Sequence, residues 1–133
     1  TVIFDFDMSF ETGESLAGWD FGGAWTADIG DAFDGSRSAV CEDGDGTLSK
    51  TMTVNSGVMH FFYKTDFMYG SIWEHLAFRI DGEEIFKVSS PTTEIDWTLF
   101  ETYVHSGTYD FEWVFYNYGP YNAFVRIDAI SFP

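Results

Sequence analysis

Between Gly107 and Asn117 the chain reads GTYDFEWVFYN, and this stretch restricts the fold more than any other. Tyr109, Phe111, Trp113 and Phe115 alternate with Asp110, Glu112, Val114 and Tyr116. A two-residue period is that of a β-strand with one face buried and the other meeting water or a ligand. Four successive aromatics on one face fit no helical period, and they need a partner sheet of comparable width. The inward face therefore demands a sandwich. The outward face, Asp110, Glu112, Val114 and Tyr116, is where a function would be carried.

The rest of the chain repeats the pattern. Strands are expected at Val2–Asp7, Ala24–Asp28, Ser36–Glu42, Thr47–Val54, Val58–Thr65, His75–Asp81, Glu83–Val88, Ile95–Val104, Thr108–Asn117 and Phe124–Phe132. Two Asp-Gly turns, within Asp43–Gly46 and at Asp81–Gly82, read as hairpin signals. Turn signals every 8–12 residues without a helical period indicate an all-β sandwich. The 133 residues make one domain, large enough to hold a core without staples. A first residue other than Met suggests a module excised from a larger secreted or surface protein.

Charge narrows the function. Six Lys and Arg against 22 Asp and Glu give a net charge of −16, which argues against nucleic acid and against an anionic membrane, since both need a basic footprint. No apolar run approaches the roughly 18 residues of a membrane span. A single cysteine, Cys41, excludes an intramolecular disulfide and reads as a small buried apolar residue.

Catalysis finds little support. Glu94-Ile95-Asp96 begins like a paired-carboxylate glycosidase strand, but position 99 is Leu, and Glu101 comes two residues late, so the spacing that glycoside hydrolysis requires is absent. His60, His75 and His105 are scattered, no G-x-S-x-G occurs, and no zinc spacing is present. The chain is read as a non-enzyme.

Outward residues suggest recognition instead. With Met59, Phe61 and Tyr63 inward, His60, Phe62 and Lys64 point out; with Leu76, Phe78 and Ile80 inward, His75, Ala77, Arg79 and Asp81 point out. Together with Glu112, Val114, Tyr116 and Arg126 these are expected to form one face, a polar recognition surface with aromatics. The alternative is that Arg79 and Arg126 merely pair with Glu112 across strands.

Several segments resemble a known family: Trp25–Asp28, Gly30–Ala39, Gly57–Lys64, Phe78–Gly82, Asp96–Thr98, Gly107–Trp113 and Ile127–Pro133. They are similar to bacterial extracellular jelly-roll modules of the concanavalin A-like or carbohydrate-binding-module type. The resemblance implies a two-sheet antiparallel jelly-roll β-sandwich, a bacterial extracellular or cell-surface location and a monomer tethered to other domains. It also makes Trp19, Trp25, Trp97 and Trp113, which lie in or beside the shared motifs, scaffold residues.

Two segments depart from that family's pattern, Phe67–Glu74 and Tyr118–Phe124. They carry Phe67, Met68, Tyr69, Trp73, Tyr118, Tyr121 and Phe124 where Gly, Ser and Asp are usual. Aromatics on loops either fold over the core or meet a partner. Pyranose rings stack on aromatic faces, so Trp73, with Tyr69, Tyr116, Tyr118, Tyr121 and Phe62, is a candidate platform, and Arg79, Arg126 and Glu112 are candidate hydrogen-bonding partners. The ligand expected is a neutral plant or microbial polysaccharide. The second reading is a structural or adhesive module of a bacterial surface protein.

Modules of this kind often hold one structural Ca²⁺ between an N-terminal acid and one near the last strand, which implies Asp5 or Asp7 with Asp128. The turn acids Asp28, Asp31 and Asp34 supply hard oxygens as well, and solvated turn carboxylates are the alternative.

Overall fold

The computed structural model describes residues 18–29, 31–33, 37–42, 44–66, 74–89, 94–117 and 123–133. Every regular element among them is a strand: β1 (Asp20–Phe21), β2 (Trp25–Ile29), β3 (Arg37–Glu42), β4 (Gly46–Val54), β5 (Gly57–Asp66), β6 (Glu74–Ile80), β7 (Glu83–Ser89), β8 (Glu94–Val104), β9 (Gly107–Asn117) and β10 (Phe124–Ser131). They form two five-stranded sheets in the orders β1-β4-β9-β6-β7 and β2-β3-β10-β5-β8. All pairings are antiparallel. Among the described strands only β2–β3 and β6–β7 are consecutive partners in one sheet, and every other step crosses to the opposite sheet. The fold is the two-sheet antiparallel jelly-roll β-sandwich. The expected strand at Val2–Asp7 lies outside the described residues.

Alternation decides the core. In β9, Phe111, Trp113 and Phe115 are fully buried and Tyr109 is half-buried. Facing them from β5 are Met59 and Phe61, both fully buried. Phe61 is the hub, with ring centroids at 5.1 Å from Phe78, 5.2 Å from Phe100 and 5.5 Å from Trp113. Most of these pairs are tilted or edge-on, as the ring quadrupole prefers. Trp19, Trp25 and Trp113 belong to this interior. So does Cys41, whose thiol burial pushes up to about 12, with the nearby Asp45 charge adding to it.

The two Asp-Gly turns behave differently. Asp81 and Gly82 have φ of 50° and 82° and join β6 to β7, with Ile80 opposite Glu83. Both residues in the left-handed region are what a two-residue hairpin turn needs. The Asp43–Gly46 turn makes no hairpin, because β3 and β4 lie in opposite sheets. Its glycine serves close approach instead: Ala24 N donates to Asp45 O (3.0 Å) and Gly22 N to Thr47 O (2.9 Å). A Cβ at Gly46 would run into the Gly22 carbonyl and sit 3.0 Å from Ala24 N.

Candidate functional site

The outward residues divide between two faces. β6 and β9 belong to one sheet, β5 and β10 to the other. Arg79, Glu112 and Tyr116 are therefore together, whereas Phe62 and Arg126 sit on the far side of the molecule. This corrects the expectation of a single polar face. Alternation settles whether a side chain points in or out, but it carries no information about which sheet a strand joins.

On the first face the register builds a grid. Glu112 lies opposite Arg79, and Arg79 opposite Glu84; Thr47 opposite Val114, Val114 opposite Ala77, and Ala77 opposite Lys87; Tyr116 opposite His75, and His75 opposite Ser89. The middle row is small and apolar at its centre, with Ala77 and Val114 both buried. That leaves space between the charged row and the aromatic row, which Arg79 spans to donate from Nη2 to the Tyr116 hydroxyl. Its guanidinium lies 5.7 Å from the Tyr116 ring centroid, and His75 stacks on the same ring at 4.3 Å and 27°. Burial holds the His75 imidazole below its ordinary pKa, and the positive charges of Lys87 and Arg79 push the same way. A recess of about 300 Å³ opens here, lined by Asp45, Gly46, Thr47, Arg79, Val114, Phe115 and Tyr116.

Arg79 and Glu112 are register neighbours, but the guanidinium turns to Tyr116. Arg126 bonds on the other sheet: its Nη1 donates to Ser38 Oγ (3.0 Å) and to the Asp31 carbonyl (3.4 Å). The cross-strand pairing of Arg126 with Glu112 is thereby overturned. Trp73, Tyr69, Tyr118 and Tyr121 lie outside the described residues. In the chain, Trp73 directly precedes Glu74 and Tyr118 directly follows Asn117, and Glu74 and Asn117 are register partners at one end of this face.

Sequence reasoning missed Asp45 and Thr47. The signal was present in the Asp43–Gly46 turn, which was read as a hairpin and instead carries the chain between sheets along the rim of the recess.

The second face carries the segment Asp31–Phe33. Asp31 pairs with Lys64 and accepts from Trp97 Nε1 (3.4 Å), and its carbonyl accepts from Ser38 Oγ (2.7 Å). The Lys64 ammonium, ahead of the Trp97 bond, holds the Asp31 carboxyl below its ordinary range, and Asp31 in turn raises Lys64. Phe33 stacks on Phe62 with centroids 3.6 Å apart and 11° between planes. Trp97 meets Phe33 edge-on at 6.3 Å, so it is an outer-face residue and stands apart from the buried tryptophans.

Asp128 was expected to help hold calcium. It is fully buried, its Oδ2 accepts from Phe33 N and its Oδ1 from Ala129 N, at 2.9 and 2.8 Å. Asp5 and Asp7 lie outside the described residues. Among the described residues no three His, Cys, Asp or Glu gather as a metal ion requires. Asp31, from the acidic turn, is matched by an ammonium. The calcium set of Asp5 or Asp7 with Asp128 thus reaches beyond the described residues.

No family model matches the sequence, and none of the curated proteins matches it. Solved structures do. TmCBM61, solved with β-1,4-galactotriose, superposes with a TM-score of 0.64 at 20% identity, covering 98% of this chain and 97% of its own. The K1 cleaved adhesin domain of Lys-gingipain from Porphyromonas gingivalis W83 gives a TM-score of 0.66 at 17% identity, covering 92% and 93%. The C-terminal family 22 carbohydrate-binding module of Clostridium thermocellum Xyn10B gives 0.56 at 12%, covering 91% and 87%. The chain thus has the jelly-roll β-sandwich fold that carbohydrate-binding modules share with bacterial adhesin domains.

Proposed function

We propose that this chain is a non-catalytic carbohydrate-binding module that holds a parent enzyme or surface protein on a neutral polysaccharide outside a bacterial cell. The observation that carries the reading is the His75–Tyr116–Arg79 assembly above the Ala77–Val114 floor. A tyrosine ring held by a stacked imidazole and by a guanidinium at its hydroxyl is a stacking surface ordered before the ligand arrives. The remaining Arg79 donors and the half-buried Glu112 carboxylate supply charge-assisted hydrogen bonds to hydroxyls. Trp73, with Tyr69, Tyr118 and Tyr121, would extend the platform from the end where β6 begins and β9 ends. The exposed carboxylates Glu94, Asp96 and Glu101 stand on the edge strand β8, on the other sheet from this recess. An open face of this kind gives modest affinity, which tethering in a parent protein multiplies.

The likeness to an adhesin domain favours a second reading, a surface module that grips a protein partner through the same face. Native affinity electrophoresis separates the two. Soluble β-1,4-galactan, mannan, xyloglucan and β-glucan would each be cast in the gel, galactan because TmCBM61 was solved with galactotriose. At least one neutral polymer should retard the protein. Loss of one stacking ring or one charge-assisted bond, in Tyr116→Ala or Arg79→Ala, should weaken binding about 10-fold or more. No retardation by any polymer would leave the adhesive reading in its place.

A further inference from the structure

A second set of solvent-facing rings lies on the opposite sheet. Phe33 is 43% exposed and Tyr103 58%, and between them Leu99 is 43% exposed. Register orders them: Phe62, beneath Phe33, is opposite Leu99, His60 opposite Glu101, and Val58 opposite Tyr103. They form a ridge along β5 and β8, on which Leu99 and Tyr103, four residues apart, are about 13 Å from each other. Phe33 has one face held against Phe62, its backbone N–H tied to Asp128, and its own segment tied down by Lys64, Trp97 and Ser38. The ring is fixed, yet nearly half of it meets water. A core aromatic would be covered, and a stray surface ring would not be clamped by a buried carboxylate and an ion pair.

We propose that this ridge is a second glycan-binding surface, taking neutral pyranose units on Phe33 and Tyr103, so that one module joins two polysaccharide strands. The proposal shares only its ligand class with the reading above and assigns it to a separate surface. Charge favours this occupant. A second copy of the chain would bring another −16 against exposed Glu101 and Asp96, and like charges across a contact oppose it. A protein partner would want a contiguous apolar centre depleted of charge, whereas the His60–Glu101 pair divides this ridge. A sugar needs that mixture, with ring faces for its C–H surface and polar groups beside them for its hydroxyls. The two sheets are stacked about 10 Å apart with their outer faces turned opposite ways, so a stiff polysaccharide strand lying on one face cannot lie on the other.

Calorimetric titration with β-1,4-galactohexaose, cellohexaose, mannohexaose and xylohexaose tests this, alongside turbidity on mixing with the parent polymers. The native chain should bind two molecules of one hexasaccharide and cloud its polymer. Tyr103→Ala and Phe33→Ala should each weaken one of the two sites about 10-fold and abolish the turbidity while the other site is kept. Tyr103 is more than half exposed, so its variant should keep the native melting temperature even if Phe33→Ala loosens segment 31–33. A single site unaffected by both variants and removed by Tyr116→Ala would overturn the second surface and leave the first reading intact. A single site removed by Phe33→Ala and untouched by Tyr116→Ala would keep this surface and remove the other. Sedimentation showing a dimer that Tyr103→Ala dissociates would overturn the inference in favour of self-association, and failure of all four sugars would overturn both surfaces.

Discussion

Tyr116 owes its position to two small neighbours. Were Ala77 or Val114 larger, Arg79 could not cross the face to the tyrosine hydroxyl, and the ring would lose one of its two supports. His75 gives this support a pH dependence. Burial lowers its folded pKa below the ordinary imidazole value of 6.5, so folding favours the neutral ring. The associated stability is whole above 6.5 and is lost as pH falls through the folded value. We expect glycan affinity and melting temperature to fall together on acidification below pH 6.5, and His75→Phe to flatten both profiles. Asp31 and Lys64 work in the other sense to each other. Asp31 is depressed from 3.8 and Lys64 raised from 10.5, each chiefly by the other. The carboxylate's contribution is present above pH 3.8 and lost as pH falls through its folded value; the ammonium's is present below 10.5 and lost as pH rises through its own. The clasp is thus whole across the neutral range. Because both side chains are partly exposed, Lys64→Met should cost no more than about 1 kcal/mol in chemical denaturation. Outward orientation of Arg79, Tyr116 and Glu112 was legible in sequence from alternation alone. The Arg79–Tyr116 contact was not, since it depends on a diagonal across strands distant in the chain.

Elements separate what local chemistry decides from what topology decides. The Asp81–Gly82 hairpin follows from two adjacent residues, both at positive φ. Nothing lies within 4 Å of a Cβ placed on Gly82, so Gly82→Ala should cost only the left-handed backbone penalty, about 1–2 kcal/mol. A loss well above that in thermal unfolding would mean the turn does more than reverse the chain. The same dipeptide within Asp43–Gly46 failed as a hairpin signal because crossing between sheets also needs a residue without a side chain, and sequence does not separate the two uses. β9 was read correctly through its aromatics, since their period is a property of that strand alone. Trp97 differs from the buried tryptophans in packing on the outer face, where it bonds Asp31: the register of β8 against β5 shifts between Tyr63 and Thr65, and a shift of that kind breaks the alternation by which its direction would be judged.

For the whole molecule, the aromatics among the described residues gather mainly at three places: the core around Phe61, the Tyr116 face and the Phe33 ridge. Phe61 touches both sheets, and Phe61→Ala should destabilise the fold by about 3–5 kcal/mol, read as a fall in the denaturant midpoint without a change in slope. The sandwich was legible because alternation recurs along most of the strands, β3 and β10 being buried almost throughout. The division of outward residues between its two sides was not, because two sheets with identical alternation look alike in sequence. The central claim is that the β4-β9-β6 face receives the sugar. Amide chemical-shift mapping with β-1,4-galactohexaose, cellohexaose, mannohexaose and xylohexaose tests it most directly. The account predicts that the best-bound sugar shifts Thr47, Ala77, Val114 and Tyr116 as one saturable group with a single affinity. A bound sugar that leaves all of these unmoved would contradict it.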